Sequence, residues 1–103
     1  MNEQVFVFDG SKVYDLEHAH RVWASLLDFP SYYGHNLDAM FDLLSTYNGM
    51  VKIVLVVIFP VDFIFNVGDD ARRFLSVLRQ AAAYSPSYEL RMIINEYELS
   101  VDD

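Results

Sequence analysis

Asp38 and Asp42 lie four residues apart in the stretch Phe29-Pro30-Ser31-Tyr32-Tyr33-Gly34-His35-Asn36-Leu37-Asp38-Ala39-Met40-Phe41-Asp42-Leu43-Leu44. Paired carboxylates can do general acid–base work, but one of them then needs an apolar pocket that raises its pKa. These two fall on the polar side of an amphipathic pattern, with no nucleophile and no base beside them. The other chemistry open to them is ion pairing. No Lys or Arg occurs between Arg21 and Lys52, so Asp28, Asp38 and Asp42 have no basic neighbour in sequence. Tyr32, Tyr33, Phe41 and Tyr47 stand among them. Carboxylates that steer and pair, next to rings that supply rigid contact area, suit a surface that meets a basic partner. The plain alternative is a solvated helix face, which the spacing alone does not exclude.

Other chemistry is poorly represented. His18 and His20 are two apart on an expected helix, so they point to different faces and cannot jointly hold a metal. His35 stands alone in the turn, where a solvated or turn-stabilising role is expected. The chain contains no cysteine, which removes a disulfide framework, a thiolate metal site and a Cys nucleophile, and suits a reducing compartment. No glycine-rich phosphate loop and no nucleophile elbow is present. Asp9-Gly10 reads as a turn. The chain is poorly equipped as an enzyme, and nothing in it calls for a cofactor.

The elements that must position the acids follow from periodicity. Pro30 and Gly34 punctuate a turn, Asn36 stands at an N-cap position, and Leu37, Met40, Phe41 and Leu44 form one face of a helix to about residue 44. Asp38 and Asp42 are neighbours on the other side and repel by roughly 0.2–0.5 kcal/mol. Gln4–Phe8 reads as a first strand. Asp15 caps a helix over residues 16–27, with Leu16, Ala19, Trp23, Leu26 and Leu27 inward, which makes Trp23 core. Lys52–Phe59 is a nearly continuous β-branched run, expected as a strand buried on both faces and ended by Pro60. Val61–Val67 is apolar and irregular. It fits either a loop packed on the core or an extra turn of helix. Asp69 or Asp70 caps a last helix to about Tyr84, burying Ala71, Phe74, Leu75, Leu78, Ala81 and Ala82, with Asp69 and Arg73 as an i, i+4 pair. Ser85-Pro86-Ser87 breaks it. Leu90–Asn95 is a third strand, and Glu96–Asp103 an acidic tail. Strands joined by helical crossovers imply an α/β fold with a parallel sheet.

At 103 residues the expectation is one domain over 1–103, and a hydrophobic fraction of 53% is ample for its core. The formal net charge of −8 repels nucleic acid and anionic membrane and attracts basic surfaces, including the clefts of enzymes that bind nucleic acid. Solubility alone would also account for it. No signal peptide is visible at the N-terminus, and the apolar Val51–Phe65 is too short and too interrupted to span a bilayer. A cytoplasmic location is expected.

The fifteen positions from Pro30 to Leu44, Pro-x-Tyr-Tyr-Gly-x-Asn-Leu-Asp-Ala-(bulky)-(aromatic)-Asp-x-Leu, resemble the barstar family of small cytoplasmic inhibitors of a secreted bacterial ribonuclease. Weaker similarity extends to Asp15-Leu16 and to Phe74–Ala83. The resemblance implies a three-stranded parallel sheet packed with three to four helices. It implies an immunity protein that lays its second helix and preceding loop into the basic active site of a barnase-type ribonuclease, one-to-one, by mimicry of substrate phosphates. Arg serves both anions because its fork matches carboxylate and phosphate alike. The resemblance makes Asp42 the main anchor and Asp38 a second one at the rim. Tyr32 would stack on a group of the nuclease site. Gly34, Asn36 and Leu37 would form a close-approach edge, with Phe41, Ser45, Thr46 and Tyr47 extending the contact.

Three departures bear on the partner. Phe41 and Tyr47 replace tryptophans of the family pattern. Gln80 stands where an acid contributes from the long helix, and His35 replaces an acid in the loop. They bear on the identity of the partner more than on the mode of binding. A different nuclease, or a non-inhibitory binding module of the same fold that recognises another basic protein, also accommodates them. A small α/β enzyme would need a polar pocket that this sequence does not advertise.

Overall fold

Three parallel strands in the order β1-β2-β3 form the sheet: β1 (Glu3–Asp9), β2 (Lys52–Ile58) and β3 (Tyr88–Ile93). The computed structural model describes residues 3–31, 33–47, 51–85 and 87–93. Four helices complete it: α1 (Leu16–Leu27), α2 (Leu37–Ser45), α3 (Pro60–Val67) and α4 (Asp69–Tyr84). Both crossovers are helical, α1 and α2 between the first two strands and α3 and α4 between the last two, as parallel pairing requires. The α/β fold with an open three-stranded parallel sheet is the one the sequence implied.

Register decides which residues meet the helices. Gln4, Phe6 and Phe8 pair with Ile53, Leu55 and Val57. Phe8, Ile53, Leu55 and Val57 join the core with Trp23 of α1, Met40 and Leu44 of α2, Phe63 of α3, and Phe74 and Leu78 of α4. Phe8 stacks on Trp23 at 4.9 Å and meets Phe63 edge-on at 5.2 Å. Alternate residues point the other way. Val5 and Val7 are 56% and 49% exposed there, although Val54, the register partner of Val5, is buried. The expectation of a strand buried on both faces fits β2, where Val54 is buried as well as Ile53, Leu55 and Val57, and it does not extend to β1. The buried helix residues gather on one side of the sheet, and the second side leaves β1 open among the described residues.

Helix starts follow the caps. Asp15 Oδ1 accepts from the His18 backbone N–H at 2.7 Å, and Asn36 Oδ1 accepts from that of Ala39 at 2.8 Å, each satisfying an otherwise unpaired donor of a first turn. Val61–Val67 is resolved as helix. Pro60 sits in the first turn of α3 behind Phe59 in the left-handed region (φ 54°), where a fixed proline φ and a missing N–H cost nothing. Two local expectations fail. Gly68, not Asp69 or Asp70, holds the N-cap position of α4, with no side-chain cap. Arg73 pairs with Asp70 rather than Asp69, the i, i+3 partner being the nearer carboxylate. β3 begins at Tyr88, two residues before the expected start. Asn95 and the acidic tail lie outside the described residues.

Asp9-Gly10 opens a short 3-10 turn, Gly10–Lys12, in which Asp9 Oδ1 accepts from Ser11. Gly10 is needed there for space. A Cβ on it would stand 2.5 Å from the Phe59 carbonyl oxygen and 2.6 Å from Phe63 Cβ.

Candidate functional site

α2 packs against α4 and buries Met40 and Leu44. This turns Asp38 and Asp42 to solvent, and both are exposed. Among the described residues the ion pairs involve Asp9, Glu17, Asp70 and Glu89, never Asp28, Asp38 or Asp42. The acidic charge on this ridge is thus not offset by an ion pair among the described residues. Leu37, Phe41 and Ser45 are half-buried along the same helix. Thr46, at the C-cap, donates its hydroxyl to the Asp42 carbonyl at 2.6 Å, which ties off the helix end behind that acid. A groove of about 380 Å³ runs beside Asp42, lined also by Tyr33, Ala39, Leu43 and Thr46.

The loop before α2 is held from below by α1. Tyr33 is buried, and its hydroxyl lies 2.5 Å from Nδ1 of the buried His20. Two residues on, His35 Nδ1 donates to Glu17 at 2.7 Å. His35, not Gly34, takes the left-handed backbone conformation in this loop (φ 51°). That conformation costs a non-glycine residue about 1 kcal/mol or more, and the Glu17 contact helps hold it. Gly34 is exposed, and a Cβ on it would crowd Nδ2 of the Asn36 side chain, at 2.9 Å. Its backbone conformation does not demand glycine, whereas close approach of a partner would. Asn36 also donates from Nδ2 to the Gly34 carbonyl at 3.2 Å, so one side chain caps the helix and closes the loop.

Burial holds the Tyr33 phenol well above its ordinary range, with a further push from Glu17. His20 is lowered from 6.5, first by burial and then by the facing His35, with Glu17 opposing. Its Nε2 finds no hydrogen-bond partner among the described residues.

Of the residues singled out in sequence, Asn36, Leu37, Asp38, Phe41, Asp42, Ser45 and Thr46 come together on α2 and its caps. Tyr47 follows directly. Its hydroxyl donates to the Val51 carbonyl at 2.9 Å, and its own carbonyl accepts from the buried Ser85 at 2.6 Å. That bond fastens the chain after α2 to the end of α4. Gln80 lies exposed on α4, its amide 3.4 Å from Ser76 Oγ. Tyr32 lies outside the described residues. Sequence reasoning passed over the support beneath the loop, His20–Tyr33 and Glu17–His35. Its only trace was that Glu17 and His20 are i, i+3 neighbours on one helix face. Tyr84 was also missed. It is 72% exposed and packs edge-on against Phe41 at 5.7 Å.

No group of three or more potential metal ligands is gathered among the described residues, and no helix there is long and apolar enough to cross a membrane. The α/β domain thus presents on one side an acidic helix, with no ion pair to Asp38 or Asp42 among the described residues, and a loop braced from α1. The family described as Barstar (barnase inhibitor) matches residues 3–95. The chain is also similar to a Bacillus subtilis (strain 168) protein named "Putative ribonuclease inhibitor YrdF". The two are 34% identical over 80 residues, covering 73% of this chain and 81% of that one. The chain belongs to the barstar family.

Proposed function

We propose that this protein is an intracellular inhibitor, an immunity protein, of a barnase-type bacterial ribonuclease. It blocks the basic active site one-to-one with α2 and the preceding loop. The observation that carries this reading is the exposed Asp38–Asp42 ridge with no cation of its own chain paired to it among the described residues. Asp42, one turn beyond Asp38 and beside the groove, replaces a substrate phosphate among the enzyme's Arg, Lys and His side chains. Asp38 pairs at the rim. Tyr32, Gly34, Asn36, Leu37, Phe41, Ser45, Thr46, Tyr47 and Gln80 supply the remaining contact. Burying carboxylates is favourable only where each meets a partner, and the charge-assisted fork of Arg provides that match. The bracing of the loop by α1 supports the reading, because a pre-ordered surface loses less entropy on binding.

Titration calorimetry against a barnase-type ribonuclease, with RNA cleavage followed in parallel, tests it. Tight one-to-one binding with loss of cleavage is expected. Asp42→Ala should weaken binding by about 2 kcal/mol or more, the scale of a hot spot, while leaving the fold intact. Absence of binding and inhibition overturns the assignment to this nuclease class. The neutral, exposed Gln80 favours a second reading, a barstar-fold module for a different basic protein, and a pull-down for basic partners separates the two.

A further inference from the structure

Tyr84 ends α4 with 72% of its surface exposed. An exposed ring at a helix end is ordinarily free to swing. This one is packed edge-to-face on Phe41 of α2, with centroids 5.7 Å apart and planes at 84°. The contact crosses the α2–α4 seam. It sets an aromatic step beside the helix that carries Asp38, Phe41 and Asp42, with Gln80 one turn back along α4. A ring already held in place offers contact area at little further entropy loss. The charge around it is one-sided on α2. No Lys or Arg occurs between Arg21 and Lys52, and the nearest cation on α4, Arg79, is itself engaged within the chain.

One side-chain chemistry fits a ring next to unmatched carboxylates. A guanidinium can lie flat on the aromatic face and still direct its N–H fork at an acid, which a lysine ammonium does less well. We propose that Tyr84 is a further partner-contacting residue, and that the Phe41–Tyr84 pair seats an arginine of the partner on the flank of the Asp38–Asp42 ridge. This rests on the reading of α2 as the binding face and names the partner chemistry that the face selects.

The test uses the intact protein and a defined probe. NMR of aromatic and carboxylate resonances is followed during titration with an end-blocked arginine tetrapeptide, and in parallel with its lysine counterpart. Phe41 and Tyr84 ring signals should move together with those of Asp38 and Asp42, several-fold further with arginine than with lysine at equal concentration. Tyr84→Ala should erase the arginine preference while the carboxylate shifts persist. An unchanged amide spectrum away from α4 shows that this variant is folded. Movement of the carboxylates without the rings, or equal response to both peptides, overturns the arginine step and leaves the acidic face standing. No movement at any of the four residues overturns both.

Discussion

The Tyr33 hydroxyl lies 2.5 Å from Nδ1 of His20, thirteen residues earlier in the chain, with both side chains buried. This bond joins the core of α1 to the loop that delivers α2. Tyr33→Phe keeps the ring, with its contacts to Phe29 and His35, but removes the hydroxyl. His20 would then have neither ring nitrogen paired. Leaving a buried polar group unsatisfied costs about 1–3 kcal/mol. Urea unfolding of Tyr33→Phe should show a loss in that range at neutral pH. Amide exchange should rise in Tyr33–Asn36 before it rises in the sheet. A variant as stable as the original, with unchanged exchange, would mean the hydroxyl does not brace the loop.

The same histidine predicts how stability depends on pH. Whichever tautomer it adopts, protonation adds a second ring N–H, and Nε2 has no acceptor among the described residues. The groups facing it are His35 and Tyr33 from the loop, Glu17 from its own helix and the Phe74 ring from α4. Burial and His35 lower its pKa from 6.5, more than Glu17 raises it. The folded state therefore takes up this proton at lower pH than the unfolded chain does. Stability from this group is full well above 6.5 and is lost as pH falls through 6.5 toward the lowered value. Denaturant midpoints measured from pH 8 to 5.5 should be level at first and then decline. His20→Asn, which keeps a polar atom near the Nδ1 position without the titration, should flatten that decline. An equal decline in both proteins would assign it to other groups.

Periodicity and caps made most of the scaffold legible. Asp15 and Asn36 stand one residue before helices whose apolar faces repeat at the helical interval, and β2 is a run of β-branched residues. α3 was ambiguous for a physical reason. It has eight residues, and while Pro60 and Phe63 are buried, Val61 and Phe65 are exposed. An apolar segment on both sides has no amphipathic stripe to announce a helix. The acidic ridge was legible because it is local, lying within two helical turns. The bracing beneath it was not, since Glu17–His35 and His20–Tyr33 join residues eighteen and thirteen apart, and neither distance belongs to a helical or strand period. Phe41–Tyr84 is more distant still. Only the packing of α2 on α4 brings those rings together.

Gly10 marks a place where the scaffold has no spare volume. The 3-10 turn after β1 runs directly under the β2–α3 corner, and the Phe59 oxygen and Phe63 Cβ are both within 2.6 Å of the position a Cβ would take. One is backbone and the other is the root of a fully buried side chain, so neither can rotate away. Gly10→Ala should therefore lower stability by about 1–3 kcal/mol, the usual penalty for overpacking. The chevron or equilibrium melt that measures it should show no change in m-value if only the native state is strained. Gly34→Ala is the useful contrast, because its new methyl would press on the tip of the Asn36 side chain rather than on backbone. It should cost less than Gly10→Ala, up to about 1 kcal/mol if Asn36 gives up its cap.

Ionic strength separates the two acids of α2. Both are exposed and both lack an ion-pair partner within the described residues, so in the free protein their fields reach solvent over a Debye length of about 8–10 Å at physiological salt. Rim charges act mainly on encounter, whereas a charge desolvated at the centre of an interface acts mainly on dissociation. Asp38, in the first turn of α2, is assigned to the rim in the proposed complex. Asp42, one turn further and beside the groove, is assigned to its centre. Stopped-flow association with a barnase-type ribonuclease should slow steeply between about 0.05 and 0.5 M salt. Asp38→Asn should lower the association rate and reduce that salt slope, with dissociation little affected. Asp42→Asn should act chiefly by accelerating dissociation. An association rate independent of salt would remove steering by this face from the account, and an Asp38→Asn effect confined to dissociation would move that residue from the rim to the interior of the contact.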